Sequence, residues 1–184
     1  KLSKRQGDVA VEDFLNKGYL PEALLNYVAL LGWHSSEDRE IYSLRELEQE
    51  FSLPRINKAG AVFDSEKLKW MNGYYIRNLE DGELATRVRR YYEQADINIA
   101  DEDTYSRIVA FAKERINLLP EIIDETSMFF QDIEYNREEM DLLSNESSQA
   151  IFTYWISKLE SAENIDNEFI TDLLKSTAER LSVK

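Results

Sequence analysis

Pro21-Glu22-Ala23-Leu24-Leu25-Asn26-Tyr27-Val28-Ala29-Leu30-Leu31-Gly32 reads as one helix. Proline suits the first helical position, where its fixed φ helps and no N–H is needed. Leu24, Tyr27, Val28 and Leu31 then fall on one face at helical offsets, and Gly32 ends the run. Asn26 breaks the apolar stretch, which stays short of the roughly 20 residues that a membrane helix needs. The spacing therefore predicts a buried helix. With no signal-peptide-like apolar segment at the N-terminus, the expectation is a soluble, cytoplasmic protein without a membrane partner.

The same period recurs outward from this helix. Ser43 followed by Glu46 is a capping-box signature for a short helix through Leu47 to Phe51. Residues 52–63 carry Pro54, Gly60, Val62 and Phe63, which predicts a loop with one short strand. Asp64 or Ser65 then caps a helix with Leu68, Met71 and Tyr75 on one side. Further helices are marked by Leu84, Val88 and Tyr91 or Tyr92, and by Tyr105, Ile108, Val109, Ala112 and Ile116. Pro120 restarts a segment to Phe130. Ile151, Tyr154, Trp155 and Leu159 repeat the spacing, as do Ile170, Leu173, Leu174, Thr177 and Leu181. A mainly α protein follows, with a small mixed region in front and an all-helical assembly behind. The 184 residues suffice for one compact domain or two small ones.

Composition narrows the chemistry. Six glycines and no strand–helix alternation exclude a complete Rossmann nucleotide domain. Without cysteine there is no disulfide, thiolate nucleophile or Cys-based zinc site. The single histidine, His34, follows a predicted helix end and is given a structural or solvated role. Asp101, Glu102 and Asp103 read as helix N-terminal acids favoured by the macrodipole, and no metal site is expected. The net charge of −14 argues against a general polyanion binder. Residues 121–184 hold 5 Lys/Arg against 15 Asp/Glu, so RNA contacts are expected in the first two thirds.

Three stretches carry a resemblance. The opening Lys1-Leu2-Ser3-Lys4-Arg5 places two lysines where they could hold one polyphosphate. Gly18 to Trp33, and Ala61-Val62-Phe63-Asp64-Ser65-Glu66-Lys67-Leu68-Lys69-Trp70-Met71-Asn72-Gly73-Tyr74-Tyr75-Ile76-Arg77, follow in order. Together they resemble bacterial-type glutamyl-tRNA synthetases, whose nucleotide loop reads KMSKS or KLSKR. The resemblance implies a C-terminal fragment: an ATP-loop remnant over 1–7, a stem-contact region over 8–79, and a helical anticodon-binding domain over 80–184 truncated at its end. With no HIGH-like sequence, the Rossmann catalytic domain is expected to be missing and the fragment inactive alone. The intact enzyme would activate glutamate with ATP, magnesium accompanying it, and pass the acyl group to the 3′ end of tRNA(Glu). The fragment itself would bind no cofactor, and a monomer with no DNA partner is implied.

By motif match, Lys4 is the catalytic lysine of that loop, Lys1 its partner, and Ser3 a positioning residue. Lys67, Lys69 and Trp70 are the next candidates, of which Lys67 and Trp70 share a helical face and offer a cation for phosphate and a ring for sugar or base; with Arg77 they form the stem-contact candidates. Arg115, in a segment resembling the end of the helix that faces the anticodon, is the candidate reader of a base edge. Arg87, Arg89 and Arg90 form the densest basic cluster, but they cannot share one face, and Glu83 or Glu93 could neutralise them. The competing reading is an acidic helical protein-interaction module that ignores RNA. A glutamyl-queuosine-type paralogue fits less well, because such proteins lack the long helical region.

Overall fold

The computed structural model describes residues 10–33, 35, 39–56, 62–132 and 134–181. Lys1, Ser3, Lys4, Arg5 and His34 lie outside the described residues, and so do the roles expected of them. By packing the chain divides after Gln131 into two units, 1–131 and 132–184.

The first unit contains α1 (Val11–Asn16), α2 (Pro21–Gly32), α3 (Leu44–Glu50), α4 (Ser65–Arg77), α5 (Asp81–Gln94), α6 (Glu102–Lys113) and α7 (Ile122–Thr126). Three-residue 3-10 turns lie at Leu53–Arg55, Leu119–Glu121 and Ser127–Phe129. The second unit holds α8 (Arg137–Ser144), α9 (Glu146–Glu160) and α10 (Asn167–Leu181). Among the described residues no β-strand forms, and extended pairing is limited to one antiparallel bridge between Trp33 and Ile56. The strand expected near Val62 and Phe63 is irregular chain instead. Phe63 points its ring at Phe14 and Tyr27, with centroids 5.5 and 5.1 Å apart, so aromatic packing replaces the cross-strand pairs a strand would need.

Helix starts follow local rules. Ser43 Oγ accepts from the Glu46 amide at 3.3 Å while the Glu46 carboxylate accepts from the Ser43 amide at 2.7 Å, and α3 begins one residue later. Asp64 Oδ1 accepts from the Glu66 and Lys67 amides at 3.0 Å and starts α4. Its own amide donates to the Tyr27 hydroxyl at 2.6 Å, which ties that start to α2. Each such cap contributes about 1 kcal/mol.

One core joins α2, α4, α5, α6 and α7. Leu20, Ala23, Ile76, Leu84, Val88, Tyr92, Tyr105, Val109, Ala112, Ile116 and Ile122 form its buried cluster. Apart from Ile108, the expected core positions of α5 and α6 are among these, and residues from both sides of position 80 meet here. In α2 the buried face is turned from the expected one: Val28 is 52% exposed, while Asn26 is fully buried. Hydrogen bonding explains the turn. Asn26 Oδ1 accepts from the Tyr42 amide at 2.9 Å and lies 2.8 Å from the Tyr75 hydroxyl, which donates to the Tyr42 carbonyl at 2.6 Å. Burial pushes the Tyr75 phenol up to about 12, so it remains a donor through the neutral range.

The second unit is thinly cored. Its buried side chains among the described residues are Leu173 and Thr177, and Thr177 accepts from Trp155 Nε1 at 2.8 Å. Asn136 and Glu139 make a full capping box at α8, and Asn145 caps α9 through the Ser148 amide at 2.9 Å.

In the first unit, the approach of residues 17–20 to the 117–121 loop depends on Gly18. Its φ is +91°, and its carbonyl accepts from the Leu119 amide at 3.2 Å. A Cβ here would overlap Pro120 Cδ and sit 3.0 Å from Leu119 N. Gly18→Ala should therefore cost at least about 2 kcal/mol, combining left-handed strain with steric overlap. The urea midpoint of the first transition is the measurement, and a shift below about 0.5 kcal/mol would contradict the crossing described.

Candidate nucleic-acid interface

Helix α4 has two unlike sides. Leu68, Met71, Asn72, Gly73 and Ile76 are buried. On the opposite side Lys67, Trp70, Tyr74 and Arg77 follow at helical offsets of three, four and three, making one stripe. Trp70 is 48% and Tyr74 40% exposed, so two rings face solvent between two cations. Lys67 pairs with Glu40. Arg77 has no carboxylate partner among the described residues; its Nη1 lies 3.5 Å from Asn117 Oδ1. Of the expected contact residues, the fold thus brings Lys67, Trp70 and Arg77 together. Tyr74 belongs with them, and its four-residue spacing from Trp70 was the sequence signal for it.

Arg115 sits elsewhere, on the loop after α6, yet that loop is fastened to α4. Asn72 Nδ2 donates to the Asn117 carbonyl at 2.6 Å, while Asn72 Oδ1 accepts from the Leu20 amide at 2.7 Å. Gly73 leaves room for Asn117, since a Cβ there would overlap Asn117 Oδ1 and lie 3.0 Å from Arg77 Nη2. Glu121 closes the loop by accepting from the Asn117 and Leu118 amides at 2.7 and 3.0 Å, and it pairs with Lys69 at 2.7 Å. Burial raises the Glu121 carboxyl, but the Lys69 ammonium and the two amides outweigh it and hold the group below its ordinary value. Lys69 is thereby a loop anchor.

Arg115 itself is exposed. Its Nη1 donates to the Phe111 carbonyl at 2.6 Å, and the guanidinium lies 4.0 Å from the Phe111 ring centroid.

The Arg87–Arg90 cluster is dispersed and largely consumed. Arg87 makes a two-pronged bond to Glu22 at 2.8 and 3.2 Å and a further pair with Glu83 at 2.5 Å. The Arg87 bond holds the Glu22 carboxyl below its usual range. Arg89 pairs with Glu102 and covers the Tyr105 ring, while Arg90 donates to the Tyr91 hydroxyl at 2.7 Å. Asp101 accepts from the Thr104 amide at 2.7 Å and caps α6. No group of His, Cys, Asp and Glu able to hold a metal occurs among the described residues, and none of their helices is long and apolar enough to cross a membrane.

Exposed rings and arginines on α4 and the α6–α7 loop are groups suited to sugars, unpaired bases and backbone phosphates. Residues 83–184 match the model of the anticodon binding domain, and residues 1–70 match that of the class I (E and Q) tRNA synthetase catalytic domain. The chain belongs to the anticodon binding domain family. It is similar to glutamate–tRNA ligases: 36% identical over its whole length to that of Finegoldia magna, and 38% identical to that of Clostridioides difficile. It spans 38% and 39% of those relatives' lengths. The crystal structure of a glutamate tRNA ligase from Elizabethkingia meningosepticum, in complex with its amino acid, has the same fold, with a TM-score of 0.82 at 24% identity. That likeness covers 99% of this chain and 36% of the other. A glutamate-tRNA synthetase from Elizabethkingia anophelis matches with a TM-score of 0.75 at 26% identity, over 97% of this chain and 34% of its own.

The Glu121 clamp has a pH signature. A carboxyl whose folded value is depressed contributes stability that is present above its unfolded value, about 4.3, and is lost as pH falls through the folded value. Glu121→Gln should lower the urea midpoint at neutral pH, and the gap to the parent should narrow below about pH 4. A gap that stays constant into acid would show that the carboxylate charge does not hold the loop.

Proposed function

We propose that this chain is the tRNA-binding portion of a glutamate–tRNA ligase, the enzyme that activates glutamate with ATP and transfers it to the 3′ end of tRNA(Glu). The observation that carries the reading is the α4 stripe: Trp70 and Tyr74 exposed between Lys67 and Arg77. Guanidinium and ammonium groups suit backbone phosphates, and exposed rings suit sugars and unpaired bases. In this reading α4 lies along the stem and Arg115 faces the anticodon. The division into an ATP-loop remnant over 1–7, a stem-contact region over 8–79 and an anticodon-binding region over 80–184 belongs to the same proposal, as do a cytoplasmic location and a monomeric state.

ATP, with its magnesium, would be a substrate of the parent enzyme. The residues the resemblance assigns to it, Lys1 and Lys4, lie outside the described residues. The described residues bind and orient RNA: Arg77 contributes a charge with no carboxylate partner among them, whereas Lys67 must exchange Glu40 for phosphate. Such an exchange makes Lys67 the weaker contributor of the two.

A second reading has its own observation. Leu25, Val28, Leu44 and Phe51 are 46 to 57% exposed and line one apolar groove between α2 and α3 with Ala29 and Leu47. Such a surface fits a protein contact.

Binding of tRNA(Glu) at two salt concentrations, with tRNA(Gln) and an unrelated tRNA as competitors, separates the readings. Selective binding that weakens with salt is expected. Arg77→Gln should weaken it and reduce the slope of log K against log[salt] by about one, the signature of one lost phosphate contact. Arg87→Gln should leave that slope unchanged, because Arg87 is already committed to Glu22 and Glu83. Absence of tRNA binding would favour the protein-contact reading.

A further inference from the structure

Phe111 is the last aromatic of α6, and Arg115 follows it by one helical turn. Two contacts from the same residue hold the guanidinium: the Phe111 ring, 4.0 Å from centroid to Cζ, and the Phe111 carbonyl, which accepts from Nη1 at 2.6 Å. Phe111 is in turn braced by Phe129, edge to face, with centroids 5.5 Å apart and planes at 87°. These rings are not core. Phe111 is 42%, Phe129 46% and the neighbouring Met128 58% exposed.

A cation held on one ring of an exposed aromatic pair is an expensive surface unless something covers it. The geometry commits only part of the guanidinium. One Nη1 hydrogen goes to the Phe111 carbonyl, and the exposed side chain has no carboxylate partner among the described residues, which leaves the other N–H groups for a ligand. A side chain fixed in this way surrenders little rotamer freedom on binding, and its flat outer face is one on which an unpaired nucleobase can stack.

We infer that Phe111, braced by Phe129, is a positioning residue that presents the Arg115 guanidinium to an unpaired RNA base. This deepens the tRNA-binding reading and rests on it. Phe111 acts through Arg115: the ring sets the plane of the guanidinium, the carbonyl sets its rotation, and the arginine makes the base contact. Phe129 fixes the ring from the α7 side. The occupant is a single-stranded loop, because a paired base keeps its faces within the stack and cannot reach a side chain of this shape.

The test is equilibrium binding of an RNA hairpin carrying the glutamate anticodon loop to the parent chain, Phe111→Leu, Arg115→Ala and the double variant. Phe111→Leu should weaken binding about five- to tenfold, in the range of one cation–aromatic contact, with an unchanged salt slope. In the Arg115→Ala background the same change should have almost no further effect, since the residues act as a unit. Phe111→Tyr, which keeps the ring, should restore parental binding. Half-exposed Phe111 leaves the variants folded, and an unchanged urea midpoint verifies this. Independent, multiplying effects of the two substitutions would overturn the positioning role while leaving tRNA binding intact. Failure of the parent chain to bind the hairpin would overturn both this role and the reading beneath it.

Discussion

Asn72 is the side chain on which the arrangement of the first unit turns. It is fully buried in α4 and uses both ends of its amide, accepting from the Leu20 amide and donating to the Asn117 carbonyl. The two partners lie 52 and 45 residues away in sequence. A buried amide left half satisfied costs about 1–3 kcal/mol, so the entry to α2 and the loop after α6 are both bound to one position on α4. Gly18 and Gly73 make this possible by leaving out side chains where the chains cross. The stripe on the outer side of α4 and the loop carrying Arg115 are therefore tied to the same helix.

Charge is sorted by that arrangement. The chain is strongly acidic, and some of that acid is spent on nearby cations: Glu22 and Glu83 on Arg87, Glu102 on Arg89, Asp81 on Lys113 and Glu121 on Lys69. Arg77 and Arg115 are set apart from this pattern, each placed by neutral groups: Asn117 for one, the ring and carbonyl of Phe111 for the other. A polyanion approaching the first unit meets arginines that need not abandon a carboxylate. Net charge alone gave the opposite impression, because it sums paired and unpaired groups without distinction.

Local signals in the sequence were reliable where neighbours in the chain decide the outcome. Pro21 and Gly32 bound α2, Ser43 with Glu46 starts α3, and Asp101 caps α6 as its acid pattern implied. Asn136 and Glu139 carry the same capping signature and start α8, a helix that apolar spacing does not mark. Apolar spacing puts Val28 on the inner face of α2, but the polar Asn26 takes the inward position because Tyr42 and Tyr75 supply its hydrogen-bond partners. Resemblance to a family, carried by the 18–33 and 61–77 stretches, pointed to Lys67, Trp70, Arg77 and Arg115 but not to what surrounds them.

The sequence by itself determined a mainly helical chain, its main helix starts, and the candidate cations and rings, because caps, periodicity and residue chemistry are properties of neighbouring positions. Only the tertiary structure decided which of those cations are already neutralised, that Tyr74 completes the exposed face of α4, and that Phe111, braced by Phe129, holds Arg115. Those outcomes depend on contacts between residues far apart in the chain or on opposite sides of a turn, and free energy at such contacts is set by burial and hydrogen-bond geometry that no single stretch of sequence contains.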